Sequence, residues 1–221
     1  MTTATTLSGR RFVVSAGPTY GDIDPVRFIG NRSSGKMGFA IAAAAARRGA
    51  ATVLVAGPVH LDTPAGVRRI DVRSAAQLRE AVLAALPADA YVAAAAVADW
   101  TPRAVAAHKL KKTAGIDTLA LELVRTADVL AEVAAHPQRP RLVVGFAAET
   151  DAIERHARAK LEGKRLDLIA ANRVGEAGSG FESDDNALVV YGPGGFARTL
   201  GPAPKTQLAD ALLDLIQERV R

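Results

Sequence analysis

Short β-branched runs alternate with Ala-rich stretches of helical period along most of the chain, the pattern of a parallel sheet flanked by helices. Phe12–Ser15 reads as a first strand and Met37–Arg48 as a helix stopped by Gly49. Thr52–Ala56 and Val67–Val72 follow as strands, and Ser74 caps a helix reaching about Leu86. Tyr91–Ala95 is a buried strand, Leu119–Val124 another, and Thr126 opens a helix through His136. Leu142–Phe146 and Leu166–Ala170 read as strands around a helix at Asp151–Gly163. Ala187–Tyr191 and Phe196–Leu200 flank Gly192-Pro193-Gly194-Gly195, a hairpin signal, before an amphipathic helix at Lys205–Val220. The pattern predicts an α/β fold: a Rossmann-like three-layer domain with a mainly parallel sheet and a C-terminal antiparallel hairpin excursion. No repeat or long linker divides it, so residues 11–221 read as one domain behind a polar, Thr-rich leader at 1–10 that is expected to fray.

Composition narrows the setting. With 221 residues the chain buries enough surface to need no staples, and it has no cysteine. Disulfides, thiolate metal sites and a cysteine nucleophile are thereby excluded, and a reducing cytoplasm is the expected location. The apolar run Ala90–Ala98 is far below the roughly 20 residues a membrane helix needs, and the leader lacks the apolar centre of a signal peptide. A net charge of +5 favours anionic partners, either nucleic acid or phosphorylated small molecules.

Ligands of open α/β sheets bind at the carboxyl ends of strands, where three long loops fall here: Ala16–Lys36, Val97–Gly115 and Asn172–Asn186. Gly30-Asn31-Arg32-Ser33-Ser34-Gly35-Lys36-Met37 approaches a P-loop, but Met37 has no hydroxyl for a metal and the strand ends too early. A Gly/Ser-rich loop that feeds a helix still offers N–H groups to an anion. A nicotinamide site is disfavoured, because Ala16-Gly17-Pro18-Thr19 is no dinucleotide fingerprint and Ala56-Gly57 carries no acid for a ribose. Few aromatics and scattered basic residues argue against nucleic acid, and His108-Lys109-Leu110-Lys111-Lys112 is the one lysine cluster.

Several segments taken together carry a resemblance. They are Ala16-Gly17-Pro18-Thr19, Ile23-Asp24-Pro25-Val26-Arg27-Phe28-Ile29-Gly30-Asn31, Ser33-Ser34-Gly35-Lys36-Met37-Gly38 and Ala94-Ala95-Ala96-Val97-Ala98-Asp99-Trp100. To these add Lys109-Leu110-Lys111-Lys112, Val144-Gly145-Phe146-Ala147-Ala148-Glu149-Thr150 and Ser183-Asp184-Asp185-Asn186-Ala187. From about residue 12 to 220, in order, the chain resembles the phosphopantothenoylcysteine synthetases of coenzyme A biosynthesis. The resemblance implies a cytoplasmic, homodimeric ligase that joins 4′-phosphopantothenate to L-cysteine. It implies CTP with Mg²⁺, an acyl-cytidylate intermediate, and release of pyrophosphate and CMP. It also implies a decarboxylase half, as a partner or as the remainder of a bifunctional protein, and neither nucleic-acid nor membrane binding.

The same resemblance assigns roles. Asn31 and Lys109 are catalytic; Arg27, Asn31, Ala95, Ala96, Asp99, Lys111 and Lys112 bind the substrate, Arg27 from the neighbouring subunit. Ala93, Ala94, Ala95, Asp99, Lys109, Ala127, Asp128, Val129, Leu130, Phe146, Lys160 and Lys164 bind CTP, and Asp99 contacts the metal. These residue types suit the task, since a carboxylate meets a triphosphate only among preorganised cations and donors. An uncharged Asn amide holds a carboxylate without becoming a rival nucleophile. Lys160 and Lys164 share one helix face. Three positions depart from the resemblance: Gly21 where Glu is common, Arg173 where an acid is common, and Ala127 where Pro is common. Restoring Glu at Gly21 is expected to brace the loop and raise activity.

Overall fold

The computed structural model describes residues 7–112, 117–149, 151–173 and 183–220. In chain order the first elements are β1 (Arg11–Ala16), β2 (Tyr20–Asp22), β3 (Phe28–Gly30), α1 (Lys36–Arg47), β4 (Ala51–Ala56) and β5 (Val67–Asp71). Next come α2 (Ala75–Ala84), β6 (Ala90–Ala93), β7 (Trp100–Pro102), β8 (Leu123–Arg125), α3 (Val129–Ala134) and β9 (Leu142–Glu149). The last are α4 (Ile153–Gly163), β10 (Leu168–Arg173), β11 (Asp185–Tyr191), β12 (Ala197–Pro204) and α5 (Lys205–Val220).

The strands form an eight-stranded sheet in the order β12-β11-β10-β9-β6-β1-β4-β5. It is parallel from β5 through β10, and β11 and β12 join antiparallel at one edge, the expected C-terminal hairpin. Period-two alternation sorts side chains to the two faces. Phe12, Val14, Val92 and Val144 pack beneath Ile41 of α1 and Leu208 and Leu212 of α5. Val13, Tyr91, Val143 and Ile169 pack beneath α2, α3 and α4 through Leu78, Val133 and Leu161. Truncating a core leucine as fully buried as Leu212 costs about 2–5 kcal/mol. At Gly38 a Cβ would fall on Ala16 Cβ, so the missing side chain lets the first turn of α1 close onto the end of β1.

The structure departs from the sequence pattern in four places. Leu119–Val124 is no core strand: only Leu123–Arg125 is extended, and it pairs with β7 in a separate antiparallel ribbon. A second ribbon, β2 with β3, lies inside the long loop after β1. The helix expected from Thr126 starts at Val129, because the Asp128 carboxylate caps it by accepting from Ala131 N–H at 3.0 Å. The leader is not frayed from Leu7 onward: Leu7 is buried, its N–H donates to the Arg48 carbonyl, and Arg10 pairs with Asp89. Residues 1–6 lie outside the described residues. Among the described residues, no helix is long and apolar enough to cross a membrane.

Candidate active site

Strand order reverses around β1, with β4 on one side and β6 on the other, and the crevice at such a reversal is where open α/β sheets take ligands. A cleft of about 900 Å³ opens there, at the carboxyl ends of the parallel strands. Beyond the sheet, the loops after β1 and β6 are stitched together. Ala96 N–H donates to the Gly17 carbonyl at 2.8 Å, Thr19 N–H to the Ala96 carbonyl at 3.2 Å, and Ala98 N–H to Thr19 Oγ1 at 2.9 Å. These bonds fix the short main-chain run Ala93–Val97 along the cleft.

Asn31 reaches the same run from the opposite side. Its Nδ2 donates to the carbonyls of Ala96 at 3.0 Å and Val97 at 3.2 Å, so the group it presents beyond them is an acceptor oxygen. The start of α1 (Ser33–Gly38) and the residues entering α3 (Ala127–Leu130) close two further walls, with Asp99, Phe146, Lys160 and Lys164 between them. Thr126 anchors the entry to α3, its hydroxyl donating to the Ala98 carbonyl at 2.6 Å.

Cations in this cleft are held by carboxylates. Lys164 meets Asp128 at 2.7 Å, Lys160 meets Glu149 at 2.6 Å, and Lys36 meets Asp184 at 2.7 Å. Burial pushes the Asp128 carboxyl up, but the hydrogen bonds from Lys164 and Ala131 N–H outweigh it and hold the group below the usual carboxylate range. Lys205, buried at the first turn of α5, is pushed down by burial and by the charge of Lys36, with Asp184 opposing.

Most of the residues expected from the sequence line this one cleft: Asn31, Ala93, Ala94, Ala95, Ala96, Asp99, Ala127, Asp128, Val129, Leu130, Phe146, Lys160 and Lys164. Arg27, Lys109, Lys111 and Lys112 do not line it. The three lysines are exposed on the segment after β7. Arg27 is held in its own chain: Nη2 donates to Asp24 Oδ2 at 2.5 Å and to the Leu110 carbonyl at 2.8 Å. Residues 113–116 and 174–182, parts of two of the long loops, lie outside the described residues. Ser15, Lys36, Tyr91, Asn172, Asn186 and Lys205 line the cleft without having been singled out as site residues. Ser15 and Tyr91 read as strand interior, and only the position of β1 and β6 at the reversal marks them.

The sequence profile of the DNA/pantothenate metabolism flavoprotein C-terminal domain family matches residues 7–220. The chain belongs to that family. It is 49% identical over 215 residues to a Vibrio cholerae protein named coenzyme A biosynthesis bifunctional protein CoaBC, covering 97% of this chain and 54% of that protein. The Bacillus subtilis protein of the same name is 46% identical over 218 residues, covering 98% of this chain and 52% of that protein. The chain thus spans about half the length of the curated relatives it matches. A solved C-terminal domain of CoaBC superposes with a TM-score of 0.82 at 36% identity, covering 97% of each chain. That match extends over the sheet, both flanking layers and the antiparallel C-terminal strands, so the family carries the mainly parallel α/β fold described above.

Proposed function

We propose that this family member is a phosphopantothenate–cysteine ligase that activates its substrate with CTP. The observation that carries the reading is the single cleft of about 900 Å³ in which Asn31, the Ala93–Ala96 main chain, Asp99, the start of α3, Phe146, Lys160 and Lys164 converge. Its volume lies at the upper end of ligand pockets, about 300–1,000 Å³, as an extended nucleotide beside a second substrate requires. The bifunctional names of its relatives and their doubled length support a decarboxylase half working beside this one.

In the reaction, a carboxylate oxygen of 4′-phosphopantothenate bonds to the α-phosphorus of CTP and the bond to pyrophosphate breaks. The amine of L-cysteine then bonds to the acyl carbon, CMP leaves with the electron pair, and the amine proton passes to solvent. The first step assembles anions, and Lys160, Lys164 and the N–H groups entering α3 stand where fixed positive charge lowers that cost. Their carboxylate partners hold the lysines extended into the cleft until phosphate displaces them. Lys109, Lys111 and Lys112 act as a strap that closes over the bound anions. The Ala95 and Ala96 main chain, held by Asn31 at the Ala96 carbonyl, faces the reacting acyl group.

Magnesium fits as part of the metal–nucleotide. Among the described residues no three His, Cys, Asp or Glu side chains converge, and Mg²⁺ is commonly held by one or two carboxylates together with substrate phosphates. Asp99, exposed and lining the cleft, is the carboxylate that would meet it. Bound there, the ion would neutralise phosphate charge.

The ligase works as a homodimer with its sites at the boundary. All the large exposed apolar side chains among the described residues lie on two excursions from the sheet: Val26 and Phe28 on the first, between β1 and α1, and Trp100, Val105, Leu119, Leu121 and Leu123 on the second, between β6 and α3. A second copy covering them would place Arg27 and the lysine strap at a subunit boundary. A cysteine-free enzyme of phosphorylated metabolites belongs in the cytoplasm. The test is turnover with each nucleoside triphosphate in turn: CTP is expected to exceed ATP. Equal use of ATP would remove the CTP assignment, and tight nicotinamide binding without turnover would remove the ligase reading.

A further inference from the structure

Two hydroxyl groups lie on the floor of the cleft, one from each strand at the reversal. Ser15 ends the inward run of β1, Tyr91 belongs to β6, and both are about 1% exposed. Ser15 Oγ and Tyr91 Oη are 3.1 Å apart, and this is the only side-chain hydrogen bond either makes among the described residues. A hydroxyl carries one hydrogen, so the pair owns two and their mutual bond consumes one. The pair therefore has one hydrogen left to give to a group in the cleft, and a bound group there that cannot accept it forfeits a hydrogen bond.

The surroundings specify the acceptor. Tyr91 belongs to the apolar cluster that includes Val129 and Ile169, with Leu130 packed against it. Burial pushes the Tyr91 hydroxyl up to about 12, with the Asp128 carboxylate adding to the rise, so the phenol stays neutral and remains a donor. An alcohol fits this corner, since its oxygen accepts from the hydroxyl pair while its own hydrogen is free for the Asp128 carboxylate.

We infer that the Ser15–Tyr91 pair is a specificity element that recognises an alcohol hydroxyl of a bound substrate, with the nucleotide ribose as the expected source. Tyr91 packs in one cluster with Val129 and Leu130 at the start of α3, Ser15 is paired in register with Ala93, and Lys160 and Lys164 line the same cleft. This rests on the reading of the cleft as a nucleotide site. 4′-Phosphopantothenate also bears an alcohol, so the experiment separates the two sources.

Measure kcat/KM for CTP, 2′-deoxy-CTP and 3′-deoxy-CTP, and for 4′-phosphopantothenate and its dehydroxy analogue. Use the parent protein, Tyr91→Phe and, as an independent removal of the other hydroxyl, Ser15→Ala. The parent is expected to favour CTP over one of the deoxynucleotides. Tyr91→Phe should lower kcat/KM for CTP by about 2- to 12-fold, the worth of one neutral hydrogen bond, and leave that deoxynucleotide nearly unaffected. Collapse of the ratio is the supporting result, because a general packing defect would lower both substrates together. Collapse of the phosphopantothenate ratio instead keeps the alcohol site and assigns it to that substrate. If neither ratio moves in either variant, the inference is overturned while the ligase reading stands. A parent protein that turns over no nucleotide overturns both.

Discussion

Gly21 shows how a single missing side chain is read differently in sequence and in space. A Cβ there would lie 2.6 Å from Thr101 Oγ1 and 2.9 Å from Pro102 Cδ, so β2 and β7 are in contact because nothing stands between them. The expectation that a glutamate would brace this loop overlooks that contact, which is made by residues eighty positions apart in the chain. Gly21→Glu is therefore expected to destabilise the protein by about 1–3 kcal/mol, as overpacking does, without a gain in turnover. Urea denaturation checks it; a variant as stable as the parent and more active would restore the bracing role. Asn31 was singled out through the resemblance, and its place in the cleft was not readable from its loop, nor were its partners. Its donors face the Ala96 and Val97 carbonyls, a pairing set by the stitch between the β1 and β6 loops.

Among the elements, the two excursions are joined at one buried carboxylate. Asp24 accepts from Val26 N–H at 2.8 Å, Arg27 N–H at 2.9 Å, the Arg27 guanidinium, and Leu110 N–H at 3.1 Å. Leu110 is held at both its N–H and its carbonyl, which ties the chain between Lys109 and Lys111 to the loop carrying Arg27. The Arg27 hydrogen bond, reinforced by those backbone donors and opposed by burial, holds the Asp24 carboxyl well below the usual carboxylate range. The folded state thus favours the charged form. The stabilisation is complete above the unfolded pKa, about 3.9, and is lost as pH falls below it toward the folded value. Asp24→Asn should lower stability at pH 7 and lose less on going to pH 3 than the parent does. Urea midpoints at both pH values report this, and parallel losses in the two proteins would contradict it. Lys109, beside this anchor, should cost turnover without unfolding: Lys109→Ala is expected to slow it about 10- to 150-fold, as a lost charged hydrogen bond does. Near-normal turnover would make the cluster a solvated loop. Neither ribbon was legible, because β2, β3, β7 and β8 are three residues each and too short to show a period.

At the scale of the whole molecule the parallel sheet and its C-terminal hairpin were legible, since buried strands and Ala-rich helices carry their own periods. What covers the exposed excursions was not, because an apolar residue on a ribbon reads the same whether it meets a core or a second chain. Phe28, 44% exposed and stacked on Tyr20, and Trp100, 46% exposed, are the side chains to test. Phe28→Glu combined with Trp100→Glu should convert a dimer to a monomer in sedimentation and abolish turnover; a parent that is already monomeric and active would contradict the shared-site reading. The most direct measurement of the central claim is CMP release from Mg²⁺-CTP with 4′-phosphopantothenate and L-cysteine together, and with each withheld. The expected result is steady CMP formation matched by phosphopantothenoylcysteine only when all are present, with pyrophosphate release stalling after about one turnover per site when cysteine is missing. CMP release that ignores cysteine, or none in the complete mixture, would contradict the ligase assignment.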